Sequence, residues 1–298
     1  MSWMRYINGN GIVSINLTDG TRIIQTNGDE EFAPDFPISL DINCSNKCDI
    51  GCPFCYQDCT PDGKHADLLN AKVIDELRPW TEVALQVPLD HPQLILFLEK
   101  LKEKNVIPSI TVNQISFEKH LEEIRDLIDK KLIYGLGVSL VSPDEKFINE
   151  IKMFPNAVIH VINGVFEEDD FNILKDNDLK LLILGYKHKG RGITYNDNFF
   201  YDVAQRQTWL NMHIKEIISG FKVVSFDNLA LEQLHLKIHL PEKMWEQFYQ
   251  GDDGTISMYI DLVNGTFAMS SLIDKDKMIT MRGTLEEMFT EIKKWDVR

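Results

Sequence analysis

The pattern of apolar and polar positions divides the chain into three stretches. Residues 1–36 carry turn signals, Asn8-Gly9-Asn10-Gly11 and Thr18-Asp19-Gly20, around the alternating run Ile12-Val13-Ser14-Ile15-Asn16-Leu17. Alternation between such turns predicts a small antiparallel hairpin or meander, read as a lid or edge extension of a main sheet. From residue 37 to 186 short apolar runs alternate with longer amphipathic ones. Strands are predicted at 38–42, 82–87, 107–112, 136–141, 157–162 and 179–184. Helices are predicted at 70–79, 92–104, 117–130, 143–153 and 167–176, with Leu94, Phe97, Leu98 and Leu101 on one face of the second. Six β–α units in succession require parallel pairing, because parallel strands need crossovers of this length. Crossovers of one hand curve such a sheet toward a barrel, here a partial (β/α)6 barrel short of the eight units of a full one.

The third stretch, 187–298, is less regular. One or two helices are predicted over 199–217, a strand at 223–227 and a short helix at 229–234. The turns Gly251-Asp252-Asp253-Gly254 and Asn264-Gly265 flank the alternating strand Ile256–Leu262, and a return strand follows at 266–269. This stretch reads as a C-terminal α+β extension closing the open side of the barrel. The fold class expected is therefore α/β, with extensions at both ends.

A chain of 298 residues with 44% hydrophobic and 26% charged content can bury a substantial core. No apolar run reaches about 18 residues, so no membrane partner is expected. Met1-Ser2-Trp3-Met4-Arg5 lacks the apolar core of a secretory signal, and a cytoplasmic location is the expectation. The formal charge of −15 repels a phosphate backbone and argues against duplex nucleic acid as a partner.

The cysteines change the picture. Cys44, Cys48, Cys52, Cys55 and Cys59 all fall within sixteen residues, after the first strand of the α/β stretch. Thiolates gathered on one loop are ligands for iron or zinc, and an odd, crowded set does not read as a disulfide framework. Zinc is the plain alternative, with Cys44 or Cys59 completing four ligands. Three cysteines on a cluster of four irons would instead leave one iron open.

Cys48, Cys52, Phe54 and Cys55 match the C-x3-C-x-aromatic-C pattern of the radical S-adenosylmethionine (SAM) superfamily, which the chain resembles. The runs Cys55-Tyr56-Gln57-Asp58 and Thr60–His65, Gly185-Tyr186-Lys187 with Gly190-Arg191-Gly192, and Gly251–Gly254 resemble a phage and bacterial group of that superfamily with no settled substrate. The resemblance implies a [4Fe-4S] cluster on Cys48, Cys52 and Cys55, with SAM chelated at the open iron and cleaved by one electron. A 5′-deoxyadenosyl radical then takes a hydrogen atom from a small-molecule, nucleotide or short-peptide substrate, and a reducing electron donor is implied. Phe54 and Tyr56 are implied to pack by the cluster and the adenine. Asn113 and Ser139, near the ends of the third and fourth strands, match SAM-facing positions. Both could equally cap or turn the chain.

The second strand departs from the family. Its Ala84-Leu85-Gln86-Val87 holds no glycine where the family has a glycine-rich stretch for the SAM amino group. Alternation can turn Leu85 and Val87 away and leave the Gln86 amide oxygen to accept from an ammonium. The departure keeps a second expectation open: a degenerate, non-catalytic iron–sulfur or zinc protein that binds a partner. Lys187 and Arg191, in a basic loop of an acidic chain, are candidates for the SAM carboxylate or an anionic substrate. His160 reads as a core histidine, Asp252-Asp253 as a hairpin turn, and Cys44 and Cys59 as structural.

Overall fold

The structure, a computed structural model, describes residues 3–28, 30–249 and 251–295. The outermost residues of both expected terminal extensions, including the start of Met1–Arg5, lie outside that set. The chain forms β1 (Trp3–Asn8), β2 (Gly11–Asn16) and β3 (Arg22–Thr26), then β4 (Ser39–Asn43) and the short α1 (Lys72–Asp75). There follow β5 (Glu82–Gln86), α2 (Leu94–Glu103), β6 (Ile107–Asn113), α3 (Gln114–Lys119), α4 (Leu121–Asp129) and β7 (Gly135–Ser139). Next come α5 (Glu145–Ile151), β8 (Ala157–Ile162), α6 (Glu168–Leu174), β9 (Lys180–Leu184), α7 (Arg191–Asn198), α8 (Phe200–Met212) and α9 (Ile214–Gly220). The chain continues with β10 (Val223–Phe226), α10 (Asn228–Gln233), α11 (Glu242–Phe248), β11 (Ser257–Asp261), β12 (Thr266–Ala268), β13 (Ile279–Thr280) and α12 (Leu285–Lys293).

The first three strands form their own antiparallel sheet. The other ten form one mixed sheet in the order β10-β9-β8-β7-β6-β5-β4-β11-β12-β13. Every pairing from β10 through to β11 is parallel, and β12 and β13 add antiparallel. The six expected strands are thus present as consecutive neighbours. The stretch after residue 187 does not stand apart as an extension: it supplies a parallel strand to each end of the six, β10 and β11.

Two helix expectations change. The predicted helix over 70–79 is helical only over Lys72–Asp75, because Arg78 precedes Pro79 and a residue before proline avoids the α region. The predicted helix 117–130 begins earlier, where Asn113 caps Ile115, and breaks at His120 (φ −120°, ψ 29°) into α3 and α4.

Register divides the parallel strands into two faces. One carries Leu40 and Ile42, Val83 and Leu85, Ile110 and Val112, Leu136 and Val138, Ile159 and Val161, Leu181 and Ile183, all buried in the core with the helices. The other carries Ser39, Asp41 and Asn43, then Glu82, Ala84 and Gln86, Ser109, Thr111 and Asn113, Gly137 and Ser139, and His160. In a flat sheet β10 and β11 would stand seven steps apart, about 34 Å at roughly 4.8 Å per step. Yet Asn228, after β10, donates from Nδ2 to Asp253 Oδ1 (2.7 Å) in the turn before β11. The sheet therefore curls, with helices outside and the polar face within.

The N-terminal sheet caps one end of that curl. Val13 packs with Ile38 and Ile256, which precede β4 and β11, and Arg22 pairs with Glu82 at the start of β5 (2.5 Å). Asp19 feels the charge of Lys180 at the start of β9. Where a lid or edge extension was expected, these strands form a floor at the N-terminal ends of the parallel strands.

Candidate functional site

The opposite end, at the carboxyl ends of the strands, carries the cysteine loop, where parallel α/β sheets gather their ligands. The loop leaves β4 at Cys44 and returns at Ala66. Cys44 N donates to Gln86 O and Ala66 N to Cys44 O, while Ser45 bridges His65 and Lys47 bridges Thr60. Within this frame Cys48 N donates to Thr60 O (2.9 Å) and Cys55 N to Cys52 O (3.2 Å). Cys44 is fully buried in the apolar core, and burial pushes its thiol up, as expected of a structural cysteine.

Cys48, Cys52, Cys55 and Cys59 are all half-buried and electrostatically coupled. Cys55 and Cys59 stand side by side, and their interaction holds the Cys55 thiol down and pushes Cys59 up. The Cys52 thiol is raised by burial and then by the charges of Cys55 and Cys48. Cys59, expected to be merely structural, thus joins the thiol group. Among the described residues no three His, Cys, Asp or Glu side chains converge on a single-ion site.

Arg191, at the first turn of α7, clamps this loop. Its N–H donates to Cys55 O (3.0 Å), Nε to Cys52 O (3.0 Å) and Nη1 to Cys59 O (2.9 Å). The fork geometry of guanidinium suits several carbonyls at once. The approach needs Gly190 (φ 52°), since a Cβ there would stand 2.7 Å from Tyr56 O and 2.8 Å from Cys55 O. The sequence reading set Arg191 against the SAM carboxylate or an anionic substrate; here the guanidinium is engaged with main-chain oxygens. Three carbonyls 132 to 139 positions away leave no local signal.

Lys187 lies with Nζ 4.1 Å from the Tyr56 ring centroid and donates to Ser271 Oγ (3.0 Å). Lys189 Nζ donates to Ser271 O (3.1 Å) and Ile273 O (2.5 Å), so both lysines tie the β12–β13 loop to the mouth of the curl. Tyr56 OH accepts from Gln86 Nε2 (2.9 Å), and Gln57 Nε2 donates to Gln86 Oε1. The amide oxygen expected to face a ligand therefore has a partner already. Leu85 and Val87 point into the apolar core, as alternation predicted. Phe54 packs edge-on against Tyr195 of α7 (5.7 Å between centroids).

Asn113 Oδ1 accepts from Ile115 N (2.8 Å) as a helix cap. Ser139 stands on the polar face in register with Asn113 and His160. His160 is not the satisfied core residue expected. It lies on the polar face, half-buried, and burial lowers its pKa to about 4. Asp252 and Asp253 do sit in a turn, and Asp253 ties it to α10.

The residue the sequence reading passed over is Asp41. It is surrounded by protein, yet its side chain is open to a water-sized probe, and so is Ala84 beside it on a strand paired on both sides. Both facts require a hollow inside the curl. Desolvation raises the Asp41 carboxyl to about 6 against the opposing charge of Lys187. The available signal was alternation itself: parallel strands covered on both faces read as continuous apolar runs, whereas Ser39-Leu40-Asp41-Ile42-Asn43 alternates. Two surface clefts, one along α12 and one at the N-terminal ends of β8 and β9, lie away from the cysteine loop.

No family model and no curated protein matches this chain. Among solved structures it is similar to the crystal structure of SuiB from Streptococcus suis, at 14% identity and a TM-score of 0.57, over 99% of this chain and 86% of that one. A Plasmodium falciparum HPPK-DHPS triple mutant with pteroate aligns at 13% identity over 79% of this chain and 53% of the other, with a TM-score of 0.27 too low to indicate a shared fold. The likeness to SuiB is one of fold. The chain is a mixed α/β protein built on a large, mostly parallel ten-stranded sheet. Among its described residues no helix is long and apolar enough to cross a membrane.

Proposed function

We propose that the chain is a radical SAM enzyme, with a [4Fe-4S] cluster on Cys48, Cys52 and Cys55 and SAM bound beside it over the hollow. The observation that carries this reading is the C-x3-C-x-aromatic-C loop at the carboxyl end of β4, above an accessible polar face. The donor set suits the group. Three thiols fall within eight residues on a braced loop, a soft donor set of the kind that binds iron. The finer fold reading is a partial (β/α)6 barrel formed by β4 to β9, flanked by β10 and β11.

When bound, cluster and SAM together supply one-electron cleavage of a carbon–sulfur bond and removal of a substrate hydrogen atom. The chain's own part is to hold and enclose. Arg191 fixes the carbonyls of Cys52, Cys55 and Cys59 and so the shape of the ligand loop. Gln86, Gln57 and Tyr56 form a polar edge at the end of β5, where Gln57 has to release the Gln86 oxygen if an ammonium is to use it. Lys187 and Lys189 pull the β12–β13 loop over the mouth, which limits water. The partners of this reading are a small-molecule, nucleotide or short-peptide substrate and a reducing electron donor.

A second reading rests on Cys59 standing beside Cys55: a non-catalytic iron–sulfur or zinc protein in which Cys59 is the fourth ligand and the curl binds a partner. Anaerobic reconstitution with iron and sulfide, followed by SAM and dithionite, separates the two. Cluster absorbance with formation of 5′-deoxyadenosine supports the enzyme. Tightly held zinc, absence of cleavage and loss of the metal in Cys59→Ser support the rival.

A further inference from the structure

The hollow has a charge that the protein itself does not balance. Asp41 stands at the middle of β4 on the inner face, with Tyr259 of β11 on one side in register and Ala84 of β5 on the other. Beyond Ala84 the same row continues through Ser109 and Gly135, so small side chains leave space beside the carboxylate. Among the described residues no hydrogen bond or ion pair reaches the Asp41 carboxylate, although protein surrounds it.

The groups around it deepen the imbalance. Asp227, after β10, and Asp253, before β11, both add negative potential at Asp41. Lys187 is the cation opposing them, but its Nζ is held by Ser271 Oγ and the Tyr56 ring. His160, on the same face, is kept neutral by burial, and the Tyr259 hydroxyl is kept protonated by burial. Asp227 and Asp253 have hydrogen-bond donors of their own, in Gly185 and Ala230 N–H and in Asn228. Asp41 has none. A carboxylate on the wall of the hollow that water reaches and no protein donor does is open to a cation that brings its own hydrogen-bond donors.

We infer that the hollow receives its substrate through a protonated amine paired with Asp41, so the substrate class is an amine-bearing molecule or a peptide presenting a lysine-like side chain. This rests on the proposed enzyme for the word substrate, but the pairing itself involves neither iron nor SAM. Asp41 is accordingly a specificity-determining residue, two positions below Asn43 and the mouth.

The test is a fluorine NMR titration of the full chain at pH 7.5 with 4-fluorobenzylamine and its neutral counterpart 4-fluorobenzyl alcohol, without iron and again after reconstitution. The amine should bind at least about tenfold more tightly than the alcohol. Asp41→Asn, which keeps the shape, should erase that preference, and Asp41→Glu should retain it. Thermal unfolding of both variants checks that they are folded. Equal affinity for the two probes, no amine binding at all, or an undiminished preference in folded Asp41→Asn overturns the inference. Because this readout ignores the cluster, its failure leaves the radical reading standing, and failure of SAM cleavage leaves the amine site standing.

Discussion

The two faces of the parallel sheet are made of adjacent residues on the same strands, and they serve opposite ends. Leu85 is buried among helix side chains while Ala84, one position earlier, is open to solvent inside the curl. Leu40 and Ile42 belong to the core, and Asp41 between them has no partner. Packing on the outer face holds the backbone in place; the inner face is free to carry polar groups that the core packing does not need. The contrast teaches where to look for each kind of defect when a residue is changed.

The sharpest break concerns the loop above the inner face. Cys48→Ser, Cys52→Ser and Cys55→Ser should each reduce reconstituted cluster absorbance and 5′-deoxyadenosine formation to background, with circular dichroism unchanged. Full cleavage by any one of them would remove that cysteine from the ligand set. Next comes the pair of neighbours. Leu85→Ala should lower unfolding free energy by roughly 2–5 kcal/mol through a cavity in the core, whereas Ala84→Ser should change it by less than about 0.5 kcal/mol. Similar urea midpoints for the two would erase the distinction between the faces.

A smaller effect is expected at the clamp. Arg191→Met removes the donors that hold three loop carbonyls, and iron affinity should fall by about 10- to 100-fold, as for other residues that orient metal ligands. Iron retention against a graded chelator measures it. Retention equal to the wild type would mean that the loop holds its shape unaided.

The smallest effect is a pH dependence. The Asp41 carboxyl titrates near 6 in the fold, above its ordinary value of 3.8. A raised acid binds its proton more tightly when folded, so its contribution is favourable at low pH and is lost as pH rises from about 4 to 6. With solvent reaching the side chain, roughly 1 kcal/mol is at stake. Asp41→Asn should therefore gain stability over the wild type at pH 8 but not at pH 4. Urea unfolding at both values reads the sign, and an equal gain at the two would assign the effect to something other than ionisation.

What the sequence made legible follows the range of the forces involved. Six strands and the helices after β5, β7 and β8 were readable because each rests on a local period and a crossover length. The turning away of Leu85 followed from alternation alone. The parallel pairing of β11 with β4 was not readable, because Asp261 and Asn43 meet across 218 positions and nothing local names the partner. The same holds for the Arg191 clamp, whose carbonyl partners have no residue identity. Cys59 was set aside because the motif ends at Cys55, yet the turn from Cys55 to Thr60 brings the two sulfurs together. His160 was misjudged because an apolar strand was taken to be apolar on both sides.

The antiparallel sheet at the base has a kinetic consequence. With Arg22 and Val13 stopping the far end of the curl, the reactant and product of the proposed enzyme would share one doorway. In the proposed enzyme a substrate seated at Asp41 would lie deeper than SAM at the cysteine loop, and so would arrive first and depart last. Steady-state measurements would then show compulsory-order kinetics, with excess SAM slowing turnover by locking the empty chamber.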